Sequence, residues 1–447
     1  MLSTTPSRAL AMHGIVLGQA RSSLKRAGGG RSSFDPGRRE SHTLNRKLKS
    51  FKGDEPLQYV GDSHLLTVAP TGSGKGRSVI IPNLLAYDGP IVVTDPKGEN
   101  FAVTARAREQ MGQQVYRLDP FNIAGEQTDA LNPFDIFDLE GTDIESDSQM
   151  IAELLSLESS GLDAFWDISA RALLSGIFAY LGTTKQGDER KFSEIVNTTH
   201  SDDVVYNLAV VLDTIGKQLP KMAYQEIASF LQKADKERSG VLSTANSYLK
   251  AFVSERVQRS LDSSSFPIND IVEGKPISIY LIIPPDKLKS HAALLRLWVG
   301  TIMRAITSRK IIPNKRTLFV LDECAQLGRV GFLESAITLC RGYGLQTWTF
   351  WQDLSQIESL YEVGWNTMVN NCAVVQAFGA KNDRVAQQIA DLIGIELDDI
   401  RGLLPDEQVT AIDGDIKKSK KLDYLYDSAF NGLFDENPFH RNSKLHG

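Results

Sequence analysis

The chain has 447 residues, of which 42% are hydrophobic and 23% are charged, and this length suits two or three domains with sizeable cores. Its three cysteines, Cys324, Cys340 and Cys372, are widely spaced, which argues against a disulfide framework or a cysteine zinc site and suits a reducing cytosol. The net charge of −6 is uneven, because residues 1–50 carry ten Lys and Arg against two Asp and Glu.

The first predicted element is a basic arm over residues 1–55. Its Gly, Ser, Lys and Arg show no helical periodicity, so we expect it to be flexible. Such a charge suits either a solvated tail or contact with the phosphates of nucleic acid or lipid. No apolar run in the chain reaches the roughly 18 residues of a membrane span, and no signal peptide is apparent. We therefore expect no transmembrane segment.

Short apolar strands then alternate with helical segments. The strands are predicted in "HLLTVAP", "PIVVTDP", "QQVYRLDP", "PISIYLIIPP", "RTLFVLDE", "LQTWTFWQ" and "AVVQAFGA". This alternation predicts an α/β fold with a mainly parallel sheet that is covered by helices on both faces.

The strand signals occupy two separate ranges, and these define the predicted domains. Residues 56–145 and 261–410 form one α/β domain, which the glycine-rich loop described next makes the candidate nucleotide-binding domain. Residues 146–260 lack a clear strand signal and predict an all-α insertion. The last segment, 411–447, is polar with scattered aromatic residues, and we interpret it as an irregular C-terminal tail.

A glycine-rich loop follows the first of these strands and precedes an apolar helix. It runs Ala-Pro-Thr-Gly-Ser-Gly-Lys-Gly from Ala69 to Gly76 and keeps the spacing of the phosphate-binding pattern G-x-x-x-x-G-K-[ST]. Main-chain amides of such a loop contact phosphate oxygens, and Lys75 would reach the β- and γ-phosphates. The predicted cofactor-binding residues are Thr71, Gly72, Ser73, Gly74, Lys75, Gly76 and Arg77. Gly76 lacks the hydroxyl that usually binds Mg²⁺.

An acidic pair ends the predicted strand "RTLFVLDE". After a buried strand, and with a phosphate loop in the same chain, Asp322 would hold Mg²⁺ through water and Glu323 would polarise the attacking water. Gln352 ends a later strand and would sense the γ-phosphate. Arg341 precedes that strand, and it would either reach the nucleotide of a neighbouring subunit or form a surface salt bridge. The predicted catalytic residues are thus Lys75, Glu323, Arg341 and Gln352.

Several motifs in order identify a family resemblance. The loop, "VVTDPKGEN", "DALNPFD", "LFVLDECAQLG" and "TFWQDLSQIESLY" together resemble the coupling proteins of conjugative type IV secretion, of the TraG/VirD type, over residues 14–447. The resemblance implies a RecA-like P-loop ATPase with an inserted all-α domain, ATP and Mg²⁺ as cofactors, and a ring, usually a hexamer. In the TraG-like branch, Gly commonly follows the loop lysine, so Gly76 agrees with a working site.

The resemblance also implies partners and a location. Relatives deliver single-stranded DNA, often bound to a relaxase, or a secreted protein to the components of a type IV secretion channel. Because the usual N-terminal membrane helices are absent from this sequence, we expect a separate membrane-anchor protein and a location in the bacterial cytoplasm, free or at the inner membrane. Two alternatives stay open. The chain could be an adaptor that recruits a substrate and whose assembly is controlled by nucleotide, or a soluble DNA pump outside secretion.

Overall fold

The computed structural model describes residues 14–19, 49–50, 56–156, 164–380 and 382–439, and for 49–50 only the backbone. These residues form two compact units. The first unit contains the described residues up to Asp88 together with Gln346–Asp435. The second unit contains Gly89–Leu345 and the described residues from Glu436 onward.

Twelve strands lie within the described residues. In chain order they are β1 (Ile15–Gln19), β2 (Lys49–Ser50), β3 (Pro56–Tyr59), β4 (His64–Val68), β5 (Ile91–Thr94), β6 (Gln114–Leu118), β7 (Ile277–Leu281), β8 (Thr317–Leu321), β9 (Leu345–Trp351), β10 (Cys372–Phe378), β11 (Glu407–Ile412) and β12 (Asp415–Lys420).

The α-helices alternate with these strands, except over a long all-helical stretch from α3 to α10. In chain order they are α1 (Ile81–Ala86), α2 (Glu99–Gln110), α3 (Ile144–Leu155), α4 (Ala164–Thr184), α5 (Ser193–Thr199), α6 (Val204–Ile215), α7 (Lys221–Gln232), α8 (Asp235–Leu249), α9 (Glu255–Arg259), α10 (Ile268–Glu273), α11 (Pro285–Leu288), α12 (Ala292–Thr307), α13 (Gly331–Leu339), α14 (Leu354–Leu360), α15 (Trp365–Asn370), α16 (Asp383–Ile393) and α17 (Leu397–Arg401).

In the first unit the strands lie in the order β3-β1-β12-β11-β10-β4-β9. The pairs β10–β4 and β4–β9 are parallel, and the pairs from β10 outward to β3 are antiparallel. Every residue of β4 and β9 is buried, as a continuous apolar run predicts for a strand covered on both faces. Outside them, α16 begins at an Asn382 cap and ends at Gly394, where the backbone turns left-handed (φ +79°).

The second unit has four parallel strands in the order β8-β5-β7-β6. All residues of β5, β7 and β8 are buried. Helix α12 is buried along most of its length, including Trp298, and forms much of this unit's core. Between β6 and β7 the described residues contain helices and no strand.

The predicted α/β fold with a mainly parallel sheet is confirmed. Several outer strands differ from the sequence interpretation. Ile15–Gln19 lies within the range assigned to the flexible arm, yet it pairs with β3 and β12. Residues 411–420, assigned to the irregular tail, complete a hairpin whose Asp413-Gly414 turn has positive φ at both positions, the turn that favours Asp-Gly.

The other predicted boundaries stay predictions. Residues 1–13, 20–48 and 51–55 of the basic arm and the last residues of the tail lie outside the described residues. Over the described ranges, none of the helices combines the length and the apolar character that crossing a bilayer requires.

Candidate functional site

The glycine-rich loop follows β4 in the first unit and has the backbone of an anion-binding turn. The Ala69 amide donates to the Trp351 carbonyl of the neighbouring strand at 2.8 Å, which fixes where the loop starts. Gly72 and Gly74 have φ of +76° and +88°, values that side chains with a Cβ rarely adopt. When the sign of φ alternates along the backbone in this way, successive main-chain amides turn toward one concave side of the loop, where an anion binds.

A helix begins at the end of the loop, so the positive end of the helix dipole lies at the loop. The turn Gly76–Ile80 is π-helical and continues directly into α1, with Lys75 at its start. The helix is anchored by its buried apolar face and by Asn83, whose side chain exchanges two 2.7 Å hydrogen bonds with the main chain of Val16. A Cβ added at Gly76 would meet no atom within 4 Å, so this position faces open space.

A buried polar network supports the strand before the loop. The Thr67 hydroxyl donates to Gln376 Oε1 (3.0 Å) and accepts from the Trp348 indole N–H (2.8 Å). Gln376 in turn donates to the Leu17 carbonyl (3.0 Å) and to Gln408 Oε1 (3.1 Å). Because buried polar groups are costly when unpaired, this network favours one arrangement of the strands around the loop.

Gln352 lies beside the start of the loop. It follows β9, which pairs in parallel with β4 so that Trp351 is opposite Val68. Its main-chain amide donates to Gln356 Oε1 at 3.0 Å, and Asp353 caps the helix that follows. The structure therefore brings Gln352 and the loop, separated by about 280 residues in the sequence, to adjacent strand ends, as parallel pairing requires.

The acidic pair follows β8 in the second unit. The Asp322 carbonyl accepts from the Thr94 hydroxyl (2.9 Å), and its Oδ1 accepts from the Glu323 amide (2.9 Å). Glu323 is in the left-handed region, with φ +52° and ψ +46°. A residue other than glycine held there is strained, and such strain concentrates at functional sites.

Asp95, in the motif "VVTDPKGEN", is a second carboxylate near this pair, and the sequence interpretation gave it no role of its own. It follows β5, the strand next to β8, and it is 1% exposed. Burial raises the pKa of Asp95 to about 7, opposed by hydrogen bonds from the Phe101 and Asn100 amides, while the charges of Glu99 and Asp322 raise it further. The sequence signal for such a role was its position: it is an acidic residue at the end of β5, and β5 pairs with β8, the strand that ends in the Asp-Glu pair.

Arg341 lies at the other end of β8. Gly344 links the two, because its amide donates to the Arg341 carbonyl (3.2 Å) and its carbonyl accepts from the amide of Thr317, the first residue of β8. Asp322 follows the last residue of that strand, roughly 17 Å away at 3.3 Å per residue. This distance exceeds the reach of an arginine side chain, so Arg341 and Asp322 of one chain do not meet.

The side chain of Arg77, predicted to bind the cofactor, is held by residues after β12. Its guanidinium pairs with Asp423 (Nε to Oδ1 2.7 Å, and Nη2 to Oδ2 2.5 Å) and lies 5.1 Å from the centre of the Tyr426 ring. The hydrogen bond and charge of Asp423 raise the pKa of Arg77. The side chain of Arg77 is therefore engaged within the protein.

The residues fit the two groups that the sequence predicts. A loop with two positive-φ glycines and a helix start provides amide donors for a polyphosphate. The Asp322 carboxylate is an oxygen ligand of the kind that Mg²⁺ accepts while it keeps several waters. In the described residues no group of three or more His, Cys, Asp or Glu side chains is arranged to hold a metal by itself.

Comparisons with known proteins give consistent matches. The family model for type IV secretory system conjugative DNA transfer matches residues 24–396. The conjugal transfer protein TraG of Escherichia coli is 30% identical over 366 residues, covering 76% of this chain and 56% of that protein. The type IV secretion system-coupling protein VirD4 of Bartonella henselae is 26% identical over 343 residues, covering 75% and 53%. The chain thus spans about half the length of the curated relatives it matches.

Solved structures of the plasmid coupling protein TrwB share the fold. The complex with the non-hydrolysable ATP analogue ADPNP gives a TM-score of 0.64 with 18% identity, over 80% of this chain and 85% of that chain. The complex with ADP and Mg²⁺ gives a TM-score of 0.63, with the same sequence identity and the same coverage of both chains. The RecA-like P-loop fold expected from the sequence is confirmed by this likeness.

Proposed function

This chain belongs to the type IV secretory system conjugative DNA transfer family, and from that premise we propose that it is a coupling-protein-type ATPase that delivers DNA or a protein substrate to a secretion channel. The observation that carries the proposal is the loop from Ala69 to Gly76, whose positive-φ glycines and following helix form an anion-binding turn. The TrwB complexes with ADPNP and with ADP and Mg²⁺ support ATP and Mg²⁺ as the cofactors.

The predicted residues take the following roles in this proposal. The main-chain amides of residues 71–77 bind the phosphates, and Lys75 offsets the charge that develops during phosphoryl transfer. Asp322 holds the cation through water, and the cation neutralises phosphate charge. Glu323 orients and polarises the attacking water, and Gln352 contacts the γ-phosphate.

Arg341 acts in a neighbouring subunit in this proposal. Its position at the amino end of β8 separates it from Asp322 of its own chain, which supports an action across a subunit interface. The assembly is a ring, expected to be a hexamer from the family resemblance. An arginine supplied by another subunit stabilises charge in the transition state of phosphoryl transfer.

The proposed substrate is single-stranded DNA, free or bound to a relaxase, or a secreted protein. The names of the relatives, a conjugal transfer protein and a secretion system-coupling protein, support it. The basic residues 1–50 provide charge for a nucleic-acid phosphate backbone. Channel components are the proposed partners, and the proposed location is the bacterial cytoplasm or the inner face of the inner membrane.

The test is the rate of ATP hydrolysis by the full chain with and without single- and double-stranded DNA. We expect hydrolysis that DNA stimulates and that Lys75→Ala abolishes. Nucleotide binding without DNA-stimulated turnover would favour the adaptor instead. DNA-stimulated turnover in a protein whose deletion leaves conjugative transfer unchanged would favour a DNA pump outside secretion.

A further inference from the structure

The chain returns to the phosphate loop just after β12. Lys421 is only 8% exposed, and its ammonium donates to the Ser73 carbonyl (3.1 Å) and to the Pro405 carbonyl (3.0 Å). The same ammonium lies 3.9 Å from the centre of the Phe378 ring. All of these residues belong to the first unit.

A lysine in this environment is costly. Lysine is rarely buried without a carboxylate partner, and desolvating an ammonium opposes folding. Burial lowers the pKa of Lys421 to about 8, and the charge of Asp406 opposes this fall only in part. The Asp406 carboxylate is itself 4.0 Å from Lys420. An apolar side chain of similar length would fill the space without this cost, so the contact with the loop needs another explanation.

The peptide bond between Ser73 and Gly74 provides that explanation. In a planar trans peptide the carbonyl and the amide hydrogen point in opposite directions. When Lys421 holds the Ser73 carbonyl on one side, the Gly74 amide is directed to the other side of the loop. Gly72 and Gly74 both have positive φ, and the freedom of glycine leaves this peptide plane poorly restrained by sterics.

We propose that Lys421 is a positioning residue of the phosphate loop, which holds the Ser73 carbonyl so that the Gly74 amide faces the phosphates. The inference rests on the proposed function, because it assigns a second lysine to the nucleotide site through the loop rather than through direct contact. It adds to that function a link between the C-terminal segment and nucleotide affinity.

A second contact keeps this segment in place independently of Lys421. Asp423 pairs with Arg77, and its own amide donates to the Asp427 carboxylate at 2.7 Å. The main-chain amide of Lys421 also donates to the Asp406 carbonyl at 2.7 Å. Substituting the Lys421 side chain therefore leaves the segment after β12 in contact with the rest of the first unit. A change in nucleotide affinity then reports the loss of the contact between Lys421 and the loop.

The experiment measures the affinity of the full chain for a fluorescent ATP analogue with Mg²⁺, the ATPase parameters and the thermal midpoint. Lys421→Met should weaken nucleotide binding at least tenfold and raise KM similarly, with little change in kcat, because an amide that contacts phosphate in both ground and transition states contributes uniform binding. The thermal midpoint should stay the same or rise, since a buried charge is removed. Lys420→Met, whose side chain is 52% exposed, is the matched control and should bind as the wild type does.

Further variants separate positioning from a merely structural role. Lys421→Arg, which keeps charged donors, should regain part of the affinity. If Lys421→Met does not fold, Lys421→Gln, whose amide is too short to reach Ser73, should show the same tenfold loss. Wild-type affinity in a folded Lys421→Met or Lys421→Gln protein overturns the inference. A wild-type chain that binds no nucleotide overturns the proposed function, and the inference with it.

Discussion

Replacing Asp95 with asparagine should make the stability of the protein less sensitive to pH. In the folded chain burial raises the pKa of Asp95 from 3.8 to about 7. A carboxyl group with a raised pKa is protonated more readily in the folded state than in the unfolded state, so stability is present at low pH and is lost as pH rises. The loss begins near pH 4, where the unfolded group ionises, and is complete just above pH 7.

The size of this effect follows from the difference in pKa. A difference of about three pKa units between the folded and unfolded states corresponds to about 4 kcal/mol of stability over the whole pH range, at 1.36 kcal/mol for each unit. Between pH 5 and pH 8 the wild type should lose about 3 kcal/mol of this, because part of the loss occurs below pH 5. Asparagine has no such ionisation, and its carbonyl oxygen still accepts a hydrogen bond from the Phe101 amide.

The assay is urea unfolding of the wild type and Asp95→Asn at pH 5 and pH 8, with chelator present. The chelator matters because a cation near Asp322 would lower the pKa of Asp95 and hide the effect. The stability of the variant relative to the wild type should increase by about 3 kcal/mol from pH 5 to pH 8. Asp286→Asn, at a surface aspartate of the same unit, is the control and should show no such increase. A relative stability that is equal at both pH values would refute the reasoning.

Four further outcomes test the proposed site. Glu323→Gln should bind ATP normally but hydrolyse it about 100-fold more slowly in a steady-state assay, and normal turnover would remove Glu323 from the mechanism. Inactive Arg341→Ala and Lys75→Ala proteins should regain part of the ATPase activity when mixed; mixed rings that stay inactive would contradict a role across subunits. Gly76→Ser should fold, because the position is open, and should need less Mg²⁺ for half-maximal hydrolysis, whereas an unchanged Mg²⁺ requirement would contradict a missing hydroxyl ligand. Replacing residues 20–48 with a short Gly-Ser linker, which keeps β1 and β2, should weaken DNA binding and flatten its salt dependence, and an unchanged salt slope would place the DNA path elsewhere.

The central strands were predictable because each is a short apolar run buried on both faces. The runs in "HLLTVAP", "PIVVTDP" and "RTLFVLDE" became β4, β5 and β8. The outer strands of the first unit were not predicted, because their identity depends on pairing between distant segments: Gln19 lies opposite Lys420. The Asp413-Gly414 turn was a local signal for the hairpin that the interpretation overlooked.

The loop was predictable for a different reason, since its conformation depends on glycines that are adjacent in the sequence. The neighbours of the loop were not predictable. No spacing rule connects Ser73 with Lys421 or Arg77 with Asp423, and these contacts are visible only once β12 is placed. Likewise, the raised pKa of Asp95 depends on its burial, which composition does not reveal.

The two units differ in how much of the chain each requires before it can form. The second unit is built almost entirely from one continuous stretch, Gly89–Leu345, so a growing chain can complete it as soon as that stretch is synthesised. The sheet of the first unit joins Ile15–Gln19 to strands that end at Lys420, and closing contacts over such separations is slow. We therefore expect the phosphate loop, although it precedes the second unit in the sequence, to reach its final shape among the last parts of the chain to fold.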